Sequence, residues 1–365
     1  MKYTQLETPA LIIELSILKA NIESMAQFAR AKGIALRPHI KAHKIPEIAQ
    51  LQLKAGACGI TASKLTELEA MGSDANLLLA NQVVDPRKAE RLVGLLAKFG
   101  GATLVDSKRG IEILARAAAH RKWQLPLLVE VDTGLGRCGV VGEGELLALV
   151  EEIKREPWLE FRGLLTHAGH AYAANSPKEV EKIGRQEGER LVELARFLER
   201  AGHRVETVSV GSTPTAKIAG LVQGVTEIRP GNYVFNDAIQ VALGAAREED
   251  CALRVLSTVI STPQRGRAVI DAGSKVLALD RGAHGNSLVQ GFGIVQGYRD
   301  IVVERLSEEH GILSFPSKLE LEVGQILEII PNHACPVVNL ADQVFICRGG
   351  EVQGSWQVVG RGKVG

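Results

Sequence analysis

The sequence predicts an α/β protein. A (β/α)8 barrel of the TIM type is expected over residues 9–240. An antiparallel β domain follows over residues 241–365, with residues 1–8 packing against it. Three observations carry this. Eight short runs rich in Val, Ile and Leu alternate with longer amphipathic stretches before residue 240, the pattern of a parallel sheet with right-handed crossovers. An open doubly wound sheet fits that alternation too, but eight strands in about 230 residues favour the closed barrel, and no GxGxxG opens the first crossover, which weakens a dinucleotide-binding sheet. After about residue 245 the texture changes to short alternating segments broken by Gly, Pro and Asn, as in antiparallel sheets.

The elements follow in order. SILKANIESMAQFARAKG (16–33) has apolar residues at helical spacing and leads into the first strand, ALRPHI (35–40). CGITA (58–62) and NLLLA (76–80) are the second and third strands, and PRKAERLVGLLAKFG (86–100) is a helix with Pro at its start and Gly at its end, the usual punctuation. Strands four to six are ATLVD (102–106), LPLLVEVD (125–132) and RGLLTHA (162–168). SPKEVEKIGRQEGERLVELARFLERAG (176–202) is a long helical pattern with a Gly stop. VETVSVG (205–211) and VTEIRPG (225–231) complete the eight. In the β domain, ALRVLSTVIST, RAVIDAGSKVL, KLELEVGQILEIIPN, ADQVFICRGG and EVQGSWQVVGRG read as strands.

At 365 residues, 45% apolar and 23% charged, the chain has a globular composition and room for two domains. A net charge of +1 and 4% aromatic residues offer no field or stacking surface for nucleic acid or a membrane. MKYTQLETPALIIEL contains no long apolar run and no small-residue cleavage site, so neither a signal peptide nor a membrane span is expected. Cys58, Cys138, Cys251, Cys335 and Cys347 are odd in number and irregular in spacing, which argues against a disulfide framework and for a reducing cytoplasmic setting.

Barrels collect function at the C-terminal ends of their strands. Strand one ends in RPHIKAHK (37–44), with His39, Lys41 and His43. Strand five runs into DTGLGRCG with Arg137, and strand six into THAGHAY with His167, His170 and Tyr172. GSTPT (211–215) follows strand seven and RPGNY (229–233) strand eight. Small residues let backbone N–H groups approach an anion, and Ser212 and Thr213 add hydroxyl donors. Either loop alone reads as a turn whose Gly and Pro satisfy local geometry. Together, after strands seven and eight, they favour a phosphate site. A lysine in a cationic, partly dry site loses its proton easily and attacks carbonyls. Lys41 opposite a phosphate cradle therefore points to pyridoxal 5'-phosphate. The plainer fate of a lysine is to snorkel or pair with a carboxylate, and Lys44 is assigned that role.

The chain resembles the fold-type III pyridoxal phosphate enzymes, an alanine racemase-like barrel followed by a β domain. Within them it is most similar to the D-threonine aldolase and D-serine dehydratase family. RPHIKAHK, VDTGLGRCG (131–139), GLLTHAGHAY (163–172), GSTPT, TEIRPGNYVFND (226–237), DAGSK (271–275), SEEHG (307–311) and PNHACP (331–336) carry the resemblance. It implies that Lys41 carries the cofactor covalently. It places Arg137 near the ring hydroxyl, His167 against the ring, and Ser212, Thr213, Gly231 and Asn232 around the phosphate. Arg229 stands where alanine racemase turns an arginine to the pyridine nitrogen, a position that varies in the aldolase and dehydratase group. Tyr172 is counted with the cofactor site, and Tyr233 either binds phosphate or packs.

In PNHACP, His333 and Cys335 lie two apart and would share one side of an extended strand. Imidazole and thiolate suit Zn²⁺, and two protein ligands leave positions open. An isolated pair of this kind is more often a surface imidazole beside a small thiol. The resemblance implies a divalent metal, Zn or Mn, on His333 and Cys335. Some aldolases carry aspartate at the second position, and cysteine matches the dehydratases. His284 and His310 are secondary candidates, read as structural. Cys58, Cys138, Cys251 and Cys347 are read as fillers, and Asp271, Ser274 and Lys275 as turn and packing residues.

The implied activity is a lyase for D-β-hydroxy amino acids. D-threonine aldolase, giving glycine and acetaldehyde, leads; D-serine dehydratase, giving pyruvate and ammonia, is the alternative. His170 or a metal-bound water would take the hydroxyl proton in an aldolase, and Lys41 the α-proton in a dehydratase. A racemase needs a second base, and the β domain offers only Tyr298. A cofactor carrier would lack the β domain. By resemblance, the enzyme is expected to be a homodimer acting on a small D-amino acid, without nucleic acid or membrane.

Overall fold

The computed structural model describes residues 1–72, 75–282 and 286–365; His284 lies outside them. All eight expected strands form one parallel sheet. They are Ala35–Leu36, Ile60–Ala62, Leu77–Leu79, Gly101–Val105, Leu125–Glu130, Leu159–Leu165, Thr207–Val210 and Glu227–Ile228. The last strand pairs with the first, Ala35 opposite Glu227. The first meets the second through a parallel bridge between His39 and Thr61, with Cys58 N–H bonding Leu36 C=O at 2.9 Å and Thr61 N–H bonding Pro38 C=O at 2.8 Å. The sheet is therefore closed.

Strand side chains alternate between faces, and the two sets are visible here. Leu78, Leu104, Leu128 and Leu165 form a separate cluster inside the barrel. Their neighbours Leu77, Leu79, Val105, Leu127, Val129 and Leu164 join the main core against the outer helices. Those helices start where the sequence signals them. Asp85 and Ser176 cap Pro86–Phe99 and Pro177–Arg200, each accepting a first-turn N–H, with Pro at the opening position. The long helix buries Val180, Gly184, Glu187, Gly188, Leu191 and Leu198; the single carboxylate in that stripe has a use described below.

Among the described residues, the second sheet holds nine strands. Six of them close into a ring: Arg267–Ile270, Gly311–Ser314, Val302–Leu306, Ile294–Val295, Ile326–Ile330 and Leu253–Gln264, which returns to Arg267–Ile270. Two features correct the sequence reading. Residues 10–14, assigned to the barrel, form a strand of this sheet, antiparallel to Leu253–Gln264 and parallel to Gln343–Arg348. ALIIE is a short run, apolar up to its closing Glu14, whose pattern fits a central strand of either sheet, so only pairing decides. One strand pair is consequently parallel in an otherwise antiparallel sheet.

PNHACP is not a strand. His333 is extended, but Ala334–Leu340 is a helix whose N-cap is His333. Pro336 sits in its first turn, where a missing N–H costs nothing. This helix docks on the barrel mouth. Lys44 Nζ reaches Asn339 Oδ1 at 2.6 Å and Glu67 at 3.1 Å, the buried ion pair expected of that lysine.

Candidate active site

A cavity of about 630 Å³ opens at the C-terminal ends of the barrel strands, under the Ala334–Leu340 helix. Lys41, Arg137, His167, Tyr172, Ser212, Thr213, Arg229, Gly231, Asn232, His333 and Cys335 all line it. Residues spread over nearly 300 positions of sequence are thus brought to one cavity by the closing of the barrel sheet and the docking of the Ala334–Leu340 helix on its mouth.

Lys41 sits on the single turn Ile40–Ala42, and its N–H points back to His39 Nδ1 at 3.4 Å. Burial lowers the pKa of its amine, and Arg137 and Arg229 push the same way against Cys335 and Glu67. Burial and the Lys41 charge hold His39 well below the ordinary histidine range, and burial with Lys41, Arg137 and Arg229 does so for His167. Both imidazoles are neutral acceptors or donors rather than cations at neutral pH.

Arg137 is held by a built loop. Asp132 accepts the N–H groups of Gly134 at 2.8 Å and Gly136 at 2.9 Å, and Asp106 accepts that of Gly139 at 3.1 Å. The guanidinium stands 3.7 Å from Glu130, a nearly buried carboxylate also bonded by Gln82. Arg229 is only 5% exposed, and its two terminal nitrogens bond Ser209 Oγ and the Thr166 carbonyl. These two protein acceptors orient its planar fork.

The strand-seven and strand-eight loops interlock. Thr215 Oγ1 accepts Ser212 N–H at 3.1 Å, and Thr213 Oγ1 accepts Tyr233 N–H at 3.1 Å. Tyr172 lines the same wall of the cavity as Thr213. A Cβ at Gly231 would lie 2.9 Å from the His39 carbonyl, so glycine lets the eighth loop press against the loop that carries Lys41. Among the described residues, no protein acceptor takes the backbone N–H groups of Thr213, Gly231 and Asn232. Buried N–H donors of this kind need a partner, and an anion supplies it. The residues present fit a phosphate.

Glu187, 1% exposed, braces this cradle from the long helix. Its Oε1 accepts the N–H groups of Gly211 at 2.8 Å and Ala168 at 3.2 Å, and its Oε2 accepts the Thr215 hydroxyl at 2.7 Å. Burial raises its pKa despite these donors.

His333 and Cys335 both line the cavity, and His333 Nδ1 lies 2.6 Å from Asp280 Oδ2. A carboxylate behind one ring nitrogen is the usual support for a metal-binding imidazole, so this donor set fits a divalent ion. Among the described residues, no group of three or more His, Cys, Asp and Glu side chains is placed to hold a metal; the pair alone would leave most of the coordination sphere to water or substrate.

Two expected site residues are not gathered. His170 does not line the cavity. Its Cε1 lies 3.2 Å from where a side chain would begin at Gly134, so it packs under the Arg137 loop. It stands on the single turn Gly169–Ala173. Tyr233 turns its hydroxyl to Gln52 at 3.0 Å and offers the cradle only its backbone. Cys58 is exposed and not a filler. His310 is exposed, Asp271 accepts from Thr8, Ser257 and Thr258, and Lys275 pairs with Glu308 and Glu309. His39, Gln82, Glu130, Glu187, Asp237 and Asp280 went unassigned in the sequence. Of these, Glu187 and Asp237 had a visible signal: a carboxylate inside an apolar stripe, and the last residue of TEIRPGNYVFND.

Residues 13–238 match the family described as alanine racemase, N-terminal domain, and residues 252–347 match a putative serine dehydratase domain. The chain is 31% identical to a D-threonine aldolase of Arthrobacter sp., over 98% of this chain and 93% of that one. It is 34% identical to D-threo-3-hydroxyaspartate dehydratase of Delftia sp. HT23, over 90% and 91%. Among solved structures it is similar to D-threonine aldolase from Filomicrobium marinum, with a TM-score of 0.91, 30% identity, and coverage of 100% and 98%. A metal-free cysteine-to-alanine variant of a D-threo-3-hydroxyaspartate dehydratase matches with a TM-score of 0.90, 33% identity, and coverage of 98% of each chain.

Proposed function

The chain belongs to the family of pyridoxal phosphate-dependent lyases built on an alanine racemase-type N-terminal domain, and from that premise we propose that it is a metal-assisted D-threonine aldolase, cleaving D-threonine to glycine and acetaldehyde. The observation that carries this reading is the convergence of Lys41, the phosphate-fitting cradle and the His333–Cys335 pair on one cavity.

Pyridoxal phosphate, when bound, supplies an electron sink for charge developing at Cα. Ser212, Thr213, Gly231 and Asn232 would hold its phosphate, with Tyr172 beside them in the cavity wall. Lys41, whose amine is biased toward its neutral form, would hold its aldehyde, while His167 and Arg229 would flank the ring and Arg137 its hydroxyl side. A divalent ion, Zn or Mn, when bound lowers the pKa of a coordinated hydroxyl. His333 and Cys335 would hold it, and Asp280 would orient the His333 ring. Lys41, His39 and His167 are among the bases that line the cavity, with the carboxylates of Glu67 and Glu130. His170 is assigned a supporting role beneath the Arg137 loop.

Cys335 favours a second reading, D-serine dehydratase giving pyruvate and ammonia. A similar dehydratase was crystallised metal-free as a cysteine-to-alanine variant. Here Lys41 would take the α-proton. Incubation with D-threonine and with D-serine, assaying acetaldehyde and pyruvate separately, tests both. Acetaldehyde from D-threonine is expected. Pyruvate alone would replace the aldolase reading, and neither product would remove both. EDTA should abolish activity and Zn²⁺ or Mn²⁺ restore it; indifference to chelation would strip His333 and Cys335 of their role.

A further inference from the structure

Asp237 follows the strand-eight loop and is fully buried. Its Oδ1 accepts the Gln240 N–H at 3.1 Å. Its Oδ2 accepts two donors, the Asn232 side-chain amide at 2.5 Å and the Ala334 N–H at 2.9 Å. Asn232 belongs to the phosphate-fitting cradle, and Ala334 stands between His333 and Cys335. One oxygen atom therefore joins the anion loop to the metal pair. Ala238 N–H to Pro331 C=O at 3.0 Å and Ile239 N–H to Asn332 C=O at 3.2 Å run alongside it. Three donors converge on this carboxylate, and an amide cannot accept them all without setting its own NH₂ against one.

We propose that Asp237 is a positioning residue that couples the two halves of the site: filling the cradle fixes Asn232 and, through Asp237 Oδ2, orders Ala334 and the ligands on either side of it. This rests on the cofactor and metal assignments above. Ordering one partner of a shared bond lowers the ordering cost of the other, and such coupling is reciprocal.

The test uses the full-length protein with pyridoxal phosphate bound and after its removal, and Co²⁺ as the metal probe, because a thiolate-to-cobalt charge-transfer band reports Cys335 directly. Wild-type protein should bind Co²⁺ at least ~5-fold more tightly with the cofactor present. Asp237→Asn should weaken Co²⁺ binding roughly 10-fold or more and bring the ratio to one. Asn232→Ala, which leaves the Asp237–Ala334 bond, should also abolish the ratio but keep the wild-type Co²⁺ affinity of the cofactor-free protein. It keeps the test decisive if Asp237→Asn does not fold. A wild-type Co²⁺ affinity independent of the cofactor, or an undiminished affinity in Asp237→Asn, overturns the proposal alone. Bound cobalt without a Cys335-dependent band overturns the metal assignment and the proposal with it.

Discussion

At Lys41, burial and the guanidinium groups of Arg137 and Arg229 all disfavour the ammonium, and only Cys335 and Glu67 oppose them. The sign of the consequence is fixed. A depressed pKa raises the fraction of neutral, nucleophilic amine at a given pH. The rate at which cofactor-free protein captures pyridoxal phosphate should therefore rise with pH around a midpoint below the ordinary lysine value of 10.5. Arg137→Gln removes one cationic neighbour, so it should move that midpoint upward; a downward or absent shift, followed by stopped-flow absorbance, would show that Arg137 does not act on Lys41. The strand-end position of Lys41 made it readable in the sequence, because barrel topology tells where to look. His170 is not among the residues that line the cavity, and its sequence position three residues after His167 carries no information on direction. Asp280 gave no signal, since its partner His333 lies 53 positions away.

Among the elements, the long helix Pro177–Arg200 does more than cover the barrel. Its buried Glu187 holds two backbone N–H groups and one hydroxyl beneath the cradle. Glu187→Ala would orphan the two N–H groups, each unsatisfied buried donor costing about 1–3 kcal/mol, while the Thr215 hydroxyl keeps Ser212 Oγ at 3.0 Å. A fall in thermal stability together with weaker cofactor retention is expected. Lost stability with unchanged cofactor affinity would mean that the cradle holds its shape without the helix. Leu128→Ala, inside the barrel cluster, should cost about 2–5 kcal/mol by chemical denaturation, with little change in cofactor affinity because it lies below the mouth; a loss under ~1 kcal/mol would argue against a packed interior. Strand and helix periodicity made these elements legible. ALIIE and PNHACP were not, for opposite reasons. The first has four apolar residues in succession before Glu14, so no period assigns it to a sheet. The second is too short for a period, and its helix is set by tertiary contacts at both ends, Asp237 at Ala334 and Lys44 at Asn339.

At the scale of the whole molecule, barrel and ring meet where the chemistry is proposed. The Lys41 loop, the strand-eight loop and the helix after His333 are joined by the Lys44–Glu67–Asn339 and Asn232–Asp237–Ala334 bridges. The alternating texture of the sequence announced two kinds of sheet, but which strand lies beside which depends on long-range closure that no local window contains. The homodimer is likewise an expectation from resemblance. Sedimentation equilibrium should give twice the mass of one chain, and a monomer at micromolar concentration would remove it.

All of this turns on where the cofactor is attached. Reduction of the cofactor-loaded protein with borohydride, followed by proteolysis and mass spectrometry, fixes the attachment covalently at one side chain. A pyridoxyl group on the peptide that contains Lys41, absent in Lys41→Ala, is the predicted result. The same group on Lys44, Lys64 or any other lysine of the wild-type protein would contradict it.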